Sequence, residues 1–457
     1  MKGRILHIHF TGIGGIGMSG IAEVLHNQGF AVQGSDAADS NNVKRLRSLG
    51  IPVTVGHAAD NLGNAQVVVT STAIRKDNPE VIEAKKRGIP VIPRAEMLAE
   101  LMRMKQGIAI AGSHGKTTMT SLIAHGMEAA GLDPTYVIGG RLIATGNNAR
   151  LGESPWLVAE ADESDGSFLR LSPMIAVVSN IDPEHLDHYG NFEALLAAFR
   201  QFVNQVPFYG RVVLHHEHPH VAALRSGLHK PVTTYGSSPQ ADIHLLDNRT
   251  DAGGQVFRAG LRDGTDLGEF RLRMPGLHNA ENALAAIAVL RELNIDLAII
   301  REALASFAGI QRRFQRTTIG KGILVDDYAH HPREIRATLA AARACWPDAH
   351  LKVIFQPHRY TRTRDLMDDF LGAFDDAHEV LLLPIYAAGE AEIAGISTES
   401  LCEGMKSRGH RSVGICADLN TARRAAEVAL SEGKIVILMG AGSIGSLAQA
   451  MREEAEA

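Results

Sequence analysis

Three times along this chain of 457 residues an apolar run ends in glycine and a helical pattern begins a few residues later. The pairs are ILHIHF before TGIGGIG, GIAIAG before SHGKTT, and KIVILM before GAGSIG. Each short apolar run reads as a buried strand, and each following stretch has the periodicity of a helix. A strand that turns through glycine into a helix is the repeating unit of an open, mostly parallel sheet. Its recurrence near the start, near residue 106 and near residue 434 predicts an α/β chain with three such units.

The spacing of the remaining signals sets the boundaries. RILHIHF, GFAVQGSD, AQVVVTS and IPVIPR read as strands of a first, Rossmann-like domain over 1–104. A central domain over 105–316 resembles a phosphate-loop ATPase. In it, WLVAEAD and MIAVVSNID are further strands, and GRVVLHH, GGQVFRAGL and GEFRLRM suggest a small antiparallel sheet. GLHNAENALAAIAVLREL returns to a helix, and GIQRRFQRTTIGKG is a basic linker. A second Rossmann-like domain is expected over 317–457, with strands GILVDD, LKVIFQ, EVLLLPI and KIVILMG.

Composition narrows the partners. The net charge of −5 gives no field that would draw nucleic acid or an anionic membrane, so neither is expected as a partner. No apolar run approaches the length of a membrane span, and no leader pattern opens the chain. The three cysteines, Cys345, Cys402 and Cys416, are scattered, which fits a reducing, cytoplasmic setting.

The first glycine pattern, Gly12, Gly14 and Gly17 with Gly15 between them, fits the dinucleotide fingerprint, and Asp36 follows at the usual distance. The second is different. In AGSHGKTT, the small residues Gly112, Ser113 and Gly115, with His114, let backbone N–H groups turn toward phosphate oxygens. Lys116 can reach the β/γ-phosphates, the Thr117 hydroxyl suits Mg²⁺, and Thr118 continues into the helix. The first glycine of the usual phosphate loop is replaced by Ile110, so this is a compressed variant. Two acidic loops follow strands of the same unit. AEADESD carries Glu160, Asp162, Glu163 and Asp165, and NIDPEHLDHYG carries Asp182, Glu184, His185, Asp187 and His188. Loops at the carboxyl ends of parallel strands face one crevice, so these side chains are candidates to hold Mg²⁺ beside ATP. HHEHPH is dense in histidine, but Pro219 breaks the ligand spacing, and no metal is assigned to it.

TGIGGIGMSGIAEVL, AGSHGKTT, AEADESD, GLHNAENALAA, DDYAHHPREI and FQPHRYTRTRDL occur in this order. Together they resemble the Mur ligase family of peptidoglycan-precursor enzymes along essentially the whole chain, and within it the alanine-adding branch. The resemblance implies that ATP activates the carboxylate of UDP-N-acetylmuramate as an acyl phosphate. The amine of L-alanine then displaces phosphate. It also moves the first glycine turn from a nicotinamide dinucleotide to the UDP diphosphate, with Gly12, Gly14, Gly15, Gly17 and Asp36 around the UDP-sugar. ATP is expected at Gly112–Thr118, Asn279, Asn282 and Arg312, although Asn279 reads equally as a helix cap. Thr117, Glu160 and His185 are the implied metal ligands. The helix NFEALLAAFRQF lacks the lysine that several relatives carbamylate, so His185 and water are expected to hold any second Mg²⁺. Tyr328, His330, His358, Arg359 and Arg362 are expected around the alanine, with Lys116, Glu160, His185, Arg312 and His330 as the catalytic set. GAGSIG is read as fold geometry or a closure contact. A ligase that attaches a recycled murein tripeptide is the alternative, and a monomer or weak homodimer is the expected state.

Overall fold

The structure is a computed structural model and describes residues 1, 4–71, 73–251 and 253–456. It has a three-domain α/β architecture with one sheet in each domain. By compactness the chain divides into two units. Unit 1 is Met1–Asp247, Arg258–Phe270 and Glu281–Phe307; unit 2 is Asn248–Phe257, Arg271–Ala280 and Ala308–Ala457.

Unit 1 holds the first sheet, five strands in the order Val53–Val55, Ala31–Asp36, His7–Thr11, Val67–Thr70, Val91–Pro93. All its pairings are parallel. The central strand is buried from Ile8 to Thr11, as a strand covered by helices on both faces must be. Beneath its end lies a polar knot. The fully buried Glu80 accepts from Thr11 Oγ1 at 2.8 Å, Ser35 Oγ at 2.7 Å and Asn61 Nδ2 at 2.7 Å, and lies 3.0 Å from His9 Nε2. Burial works against its charge, but these partners hold its pKa down at about 2.

The second sheet has ten strands. Its middle runs Val232–Gly236, Arg211–His215, Ile175–Val178, Gln106–Ala111, Trp156–Glu160, and these pair in parallel. The sequence suggests a small antiparallel sheet over 211–275. Instead Arg211–His215 pairs in parallel with Ile175–Val178, and the later strands extend the same sheet at its edge. VVL is buried on both sides and therefore takes a central place that its alternating neighbours cannot.

Unit 2 holds the third sheet, in the order Gln315–Ile319, Gly322–Asp327, Ile435–Met439, Leu351–Phe355, Glu379–Leu382, Val413–Ile415. Only the first pairing is antiparallel; the others are parallel. Its core is aliphatic and aromatic, centred on Phe355, Phe370 and Phe374. The helix Pro332–Cys345 starts on a capping box formed by His331 and Glu334, with proline at the first helical position. This accounts for His331 structurally.

Candidate active site

In unit 1 the strand Gln106–Ala111 ends at Gly112, and the helix Lys116–Ala129 starts after Gly115. Gly112 and Gly115 have φ of 131° and 84°, which side chains rarely tolerate. A Cβ on Gly112 would also overlap Ser179 Oγ, and one on Gly115 would come within 2.7 Å of Asn282 Oδ1. The loop is seated on the segment Ser179–Asp182 from the neighbouring strand. Asn180 Oδ1 accepts from His114 N at 2.7 Å, Ser179 Oγ donates to His114 O at 2.7 Å, and Ser113 Oγ accepts from Asp182 N at 2.9 Å. The helix that follows has no side-chain cap, so its N-terminal N–H groups face the loop. That is the geometry of a phosphate cradle.

Lys116 lies in this loop and is nearly buried. Its Nζ donates to Glu163 Oε1 at 2.9 Å and to the carbonyls of Gly112 and Ser113. Burial opposes its charge, yet Glu163, Asp162 and Glu160 together keep its pKa above the ordinary value. Burial pushes Glu163 up to about 7 against the pull of Lys116, and among the described residues its buried Oε2 has no hydrogen-bond partner. Lys116 therefore stays charged, and burial is the main force working against the Glu163 carboxylate. In the sequence Glu160 is a candidate metal ligand, and nothing there singles out Glu163 as the direct partner of Lys116. Glu160 instead accepts from Gly139 N at 2.6 Å, and it lines one small cavity with Arg94 and Asp162.

The second acidic loop adds to the cluster. His114 Nε2 is 3.3 Å from both Asp182 and Glu184, and His185 Nε2 is 3.8 Å from Glu184 and 4.0 Å from Glu163. His185 has φ of 58° at the start of a short helical turn. His218 of the HHEHPH stretch lies 3.6 Å from Asp182, so that stretch adjoins the platform of the phosphate loop.

The first glycine turn, also in unit 1, is open. Its helix Ile16–Asn27 has Gly15 at the cap, with no side-chain cap, and both Gly15 and Ile16 are exposed. Asp36 Oδ2 accepts from Gly14 N at 2.8 Å, so the carboxylate sits at the mouth of the turn. Gly12 has φ of 79°, and a Cβ on Gly17 would press on the Arg94 guanidinium at 2.9 Å. Arg94 in turn bonds Asp162 at 3.2 Å. Arg94 thus joins the two glycine loops, a link that no motif in the sequence signals.

Asn282 is brought to the phosphate loop, beside Gly115. Asn279, in the first turn of the helix Leu277–Glu292, donates from Nδ2 to Pro275 O at 2.7 Å.

In unit 2, Tyr328, His330 and His358 come together. Ring centroids are 5.2 Å apart for Tyr328 and His330, and 6.1 Å apart for His330 and His358. His330 Nδ1 lies 3.0 Å from the Tyr328 carbonyl. A carbonyl only accepts, so Nδ1 carries a proton toward it. His358 stacks on Tyr386 at 5.4 Å, a neighbour that no motif in the sequence singles out. Arg362 Nη1 lies 3.3 Å from His358 Nδ1. Burial, then Arg362, His330 and Arg359, lower the His358 pKa to about 4, so its ring is neutral and accepts from Arg362. Arg359 is exposed at φ 72°, with its N–H donating to Tyr386 O. Arg312 is held on its own unit, at Asp326, Gly440 and Tyr328.

A phosphate cradle with a charged lysine and clustered carboxylates, on a three-sheet α/β chain, defines a class: enzymes that use ATP to activate a second substrate. Family models match in three consecutive stretches, as Mur ligase family, catalytic domain (7–106), Mur ligase middle domain (110–290) and Mur ligase, glutamate ligase domain (312–442). The chain belongs to the Mur ligase family. It is 51% identical over 455 residues to the UDP-N-acetylmuramate–L-alanine ligase of Brucella ovis, covering 98% of this chain and 97% of that protein. Among solved structures, the UDP-N-acetylmuramate-alanine ligase of Thermotoga maritima superposes with a TM-score of 0.85 at 30% identity, covering 98% of this chain and 99% of that one. A murein peptide ligase of Psychrobacter arcticus shares the fold, at a TM-score of 0.72 and 24% identity over 98% of each chain.

Proposed function

We propose that this protein joins L-alanine to the carboxylate of UDP-N-acetylmuramate with ATP, in peptidoglycan precursor synthesis. A carboxylate oxygen of the sugar nucleotide attacks the γ-phosphorus, and ADP leaves. The alanine nitrogen then attacks the acyl carbon, the C–O bond to phosphate breaks, and an amide remains. The observation that carries this reading is the Gly112–Lys116 cradle, with its uncapped helix and the Lys116–Glu163 pair, in a chain related over nearly its whole length to alanine-adding ligases.

In this reading residues 1–104 bind the UDP-sugar, 105–316 bind ATP and 317–457 bind the amino acid. The uncapped turn at Gly12, Gly14, Gly15 and Gly17 takes the diphosphate, and Asp36 takes a ribose hydroxyl. Gly112 to Thr118 take the ATP phosphates, with Asn279 and Asn282 toward the nucleotide. The oxygen donors of Thr117 and Glu160 suit a hard cation and, with the His185 imidazole nitrogen, would hold Mg²⁺; among the described residues the buried Glu163 Oε2 has no hydrogen-bond partner, which marks space for positive charge nearby. The cation would neutralise phosphate charge during transfer. Arg359 and Arg362 suit the alanine carboxylate, and Tyr328 and His358 wall its pocket. His330 Nε2 is the base for the ammonium proton. The protein works in the cytoplasm on small molecules, as a monomer or weak homodimer. Among the described residues no helix is long and apolar enough to cross a membrane.

The test is phosphate release from ATP and Mg²⁺ with UDP-N-acetylmuramate, adding L-alanine, glycine, L-serine or the murein tripeptide separately. Release that needs the sugar nucleotide and is fastest with L-alanine supports the reading. Preference for the tripeptide moves the protein to the recycling activity, and no release with any acceptor refutes a ligase.

A further inference from the structure

GAGSIG follows a strand and opens the helix Ile444–Glu456, yet nothing in the ligase reading uses it. Its glycines make room for the protein itself. A Cβ on Gly440 would press on Gln356 O, and one on Gly442 would overlap Gln356 Oε1 and crowd Tyr386. A Cβ on Gly445 would overlap the Arg312 guanidinium. The third glycine is therefore a socket for Arg312.

Arg312 is fixed from every side within unit 2. Its backbone has φ of 61°, its N–H donates to Gln315 Oε1 at 3.1 Å, and its carbonyl accepts from Tyr328 N at 2.7 Å. Its Nε lies 3.4 Å from the buried Asp326 Oδ1, and its Nη2 donates to Gly440 O. Its Cζ stands 4.9 Å from the centre of the Tyr328 ring, with Arg313 at 5.3 Å from the same ring. A guanidinium spent on a buried carboxylate, a carbonyl and an aromatic face is poorly placed to follow a phosphoryl group.

We propose that Arg312 is a positioning residue for the amino-acid pocket, acting through Tyr328, rather than a contact to the transferring phosphoryl group. It rests on the reading of Tyr328 as a wall of that pocket. Arg312 ties the Gly440 turn, the end of the strand Gly322–Asp327 and the Tyr328 backbone into one piece. Moving it shifts the ring that the alanine meets and leaves the phosphate cradle of unit 1 untouched.

Two variants of the full chain test this. Arg312→Lys keeps the charge and loses the fork; Gly445→Ala keeps Arg312 and fills its socket. Each is read by steady-state phosphate release with alanine varied at saturating ATP and UDP-N-acetylmuramate, and by the burst of ADP formed without alanine. The expected result for both is a rise of about tenfold in the KM for alanine, with kcat and the KM for ATP within about threefold and the burst retained. A lost burst with an unchanged KM for alanine overturns the proposal in favour of a phosphoryl contact. Unchanged kinetics in both variants overturn it as well. Should one variant fail to fold, the other carries the test from the opposite side of the same contact. A wild-type protein active with alanine, beside unaffected variants, isolates the failure to Arg312; an inactive wild type removes the ligase reading along with it.

Discussion

GIGGIG at the start of the chain and GAGSIG near its end have the same glycine spacing and the same strand–turn–helix setting, but their helix ends are treated differently. At the first, the helix has no side-chain cap, and Gly15 and Ile16 are exposed. At the second, Gln356 Oε1 accepts from Ile444 N at 2.9 Å, Gly445 is buried, and Arg312 fills the space beside it. An uncapped helix end offers N–H groups and a positive dipole to an anion; one already bonded to an amide oxygen has less to offer. Glycine spacing therefore describes how closely something approaches the backbone, and the approaching group can be a ligand or the protein's own side chain.

The largest effect separates a phosphate-binding turn from the rest. Lys116→Ala should lower phosphate release by at least about a hundredfold, since it removes the ammonium proposed to meet the ATP phosphates. UDP-sugar binding, followed by calorimetry, should stay nearly intact. Equal loss of both would mean that the two turns are not independent sites.

The next contrast sets the two similar turns against each other. Gly14→Ala should weaken sugar-nucleotide binding by about tenfold or more, because its Cβ would come within 2.9 Å of Asp36 Oδ2 and Ser40 Oγ. Gln356→Leu should instead cost about 1–3 kcal/mol in stability, by leaving Ile444 N unpaired, with both nucleotide affinities unchanged. Loss of nucleotide affinity in Gln356→Leu would mean that the second turn also serves a nucleotide.

The smallest effect is in acid. His358 has a depressed pKa of about 4, so its contribution is complete above about 6.5 and is lost as pH falls through 4. Glu80 is depressed to about 2, so its contribution is complete above about 4.5 and is lost only as pH falls toward 2. Hydrogen exchange, corrected for intrinsic rates, should show the strand Leu351–Phe355 opening at a higher pH than the strand His7–Thr11. His358→Gln should remove that difference; if it does not, another group sets the acid sensitivity of unit 2.

The sequence by itself determined the strand–turn–helix units, the phosphate loop and the residues available to it. Those features are local: a short apolar run, glycine at a turn and a lysine at a helix start are written in consecutive residues. The gathering of Tyr328, His330 and His358 is also legible, through loops that each follow a strand of one sheet, whereas the place of Asn282 beside Gly115 is not. Only the tertiary structure decided which acid pairs with Lys116, since Glu160 and Glu163 stand three residues apart in one loop and differ in the direction they face. It alone brought Arg94 to Gly17 and Asp162, Tyr386 to His358, and Arg312 to Gly445. It also merged the strands after residue 211 into the central sheet. These are pairings between segments far apart in the chain, and their choice depends on burial and shape, which no stretch of consecutive residues records.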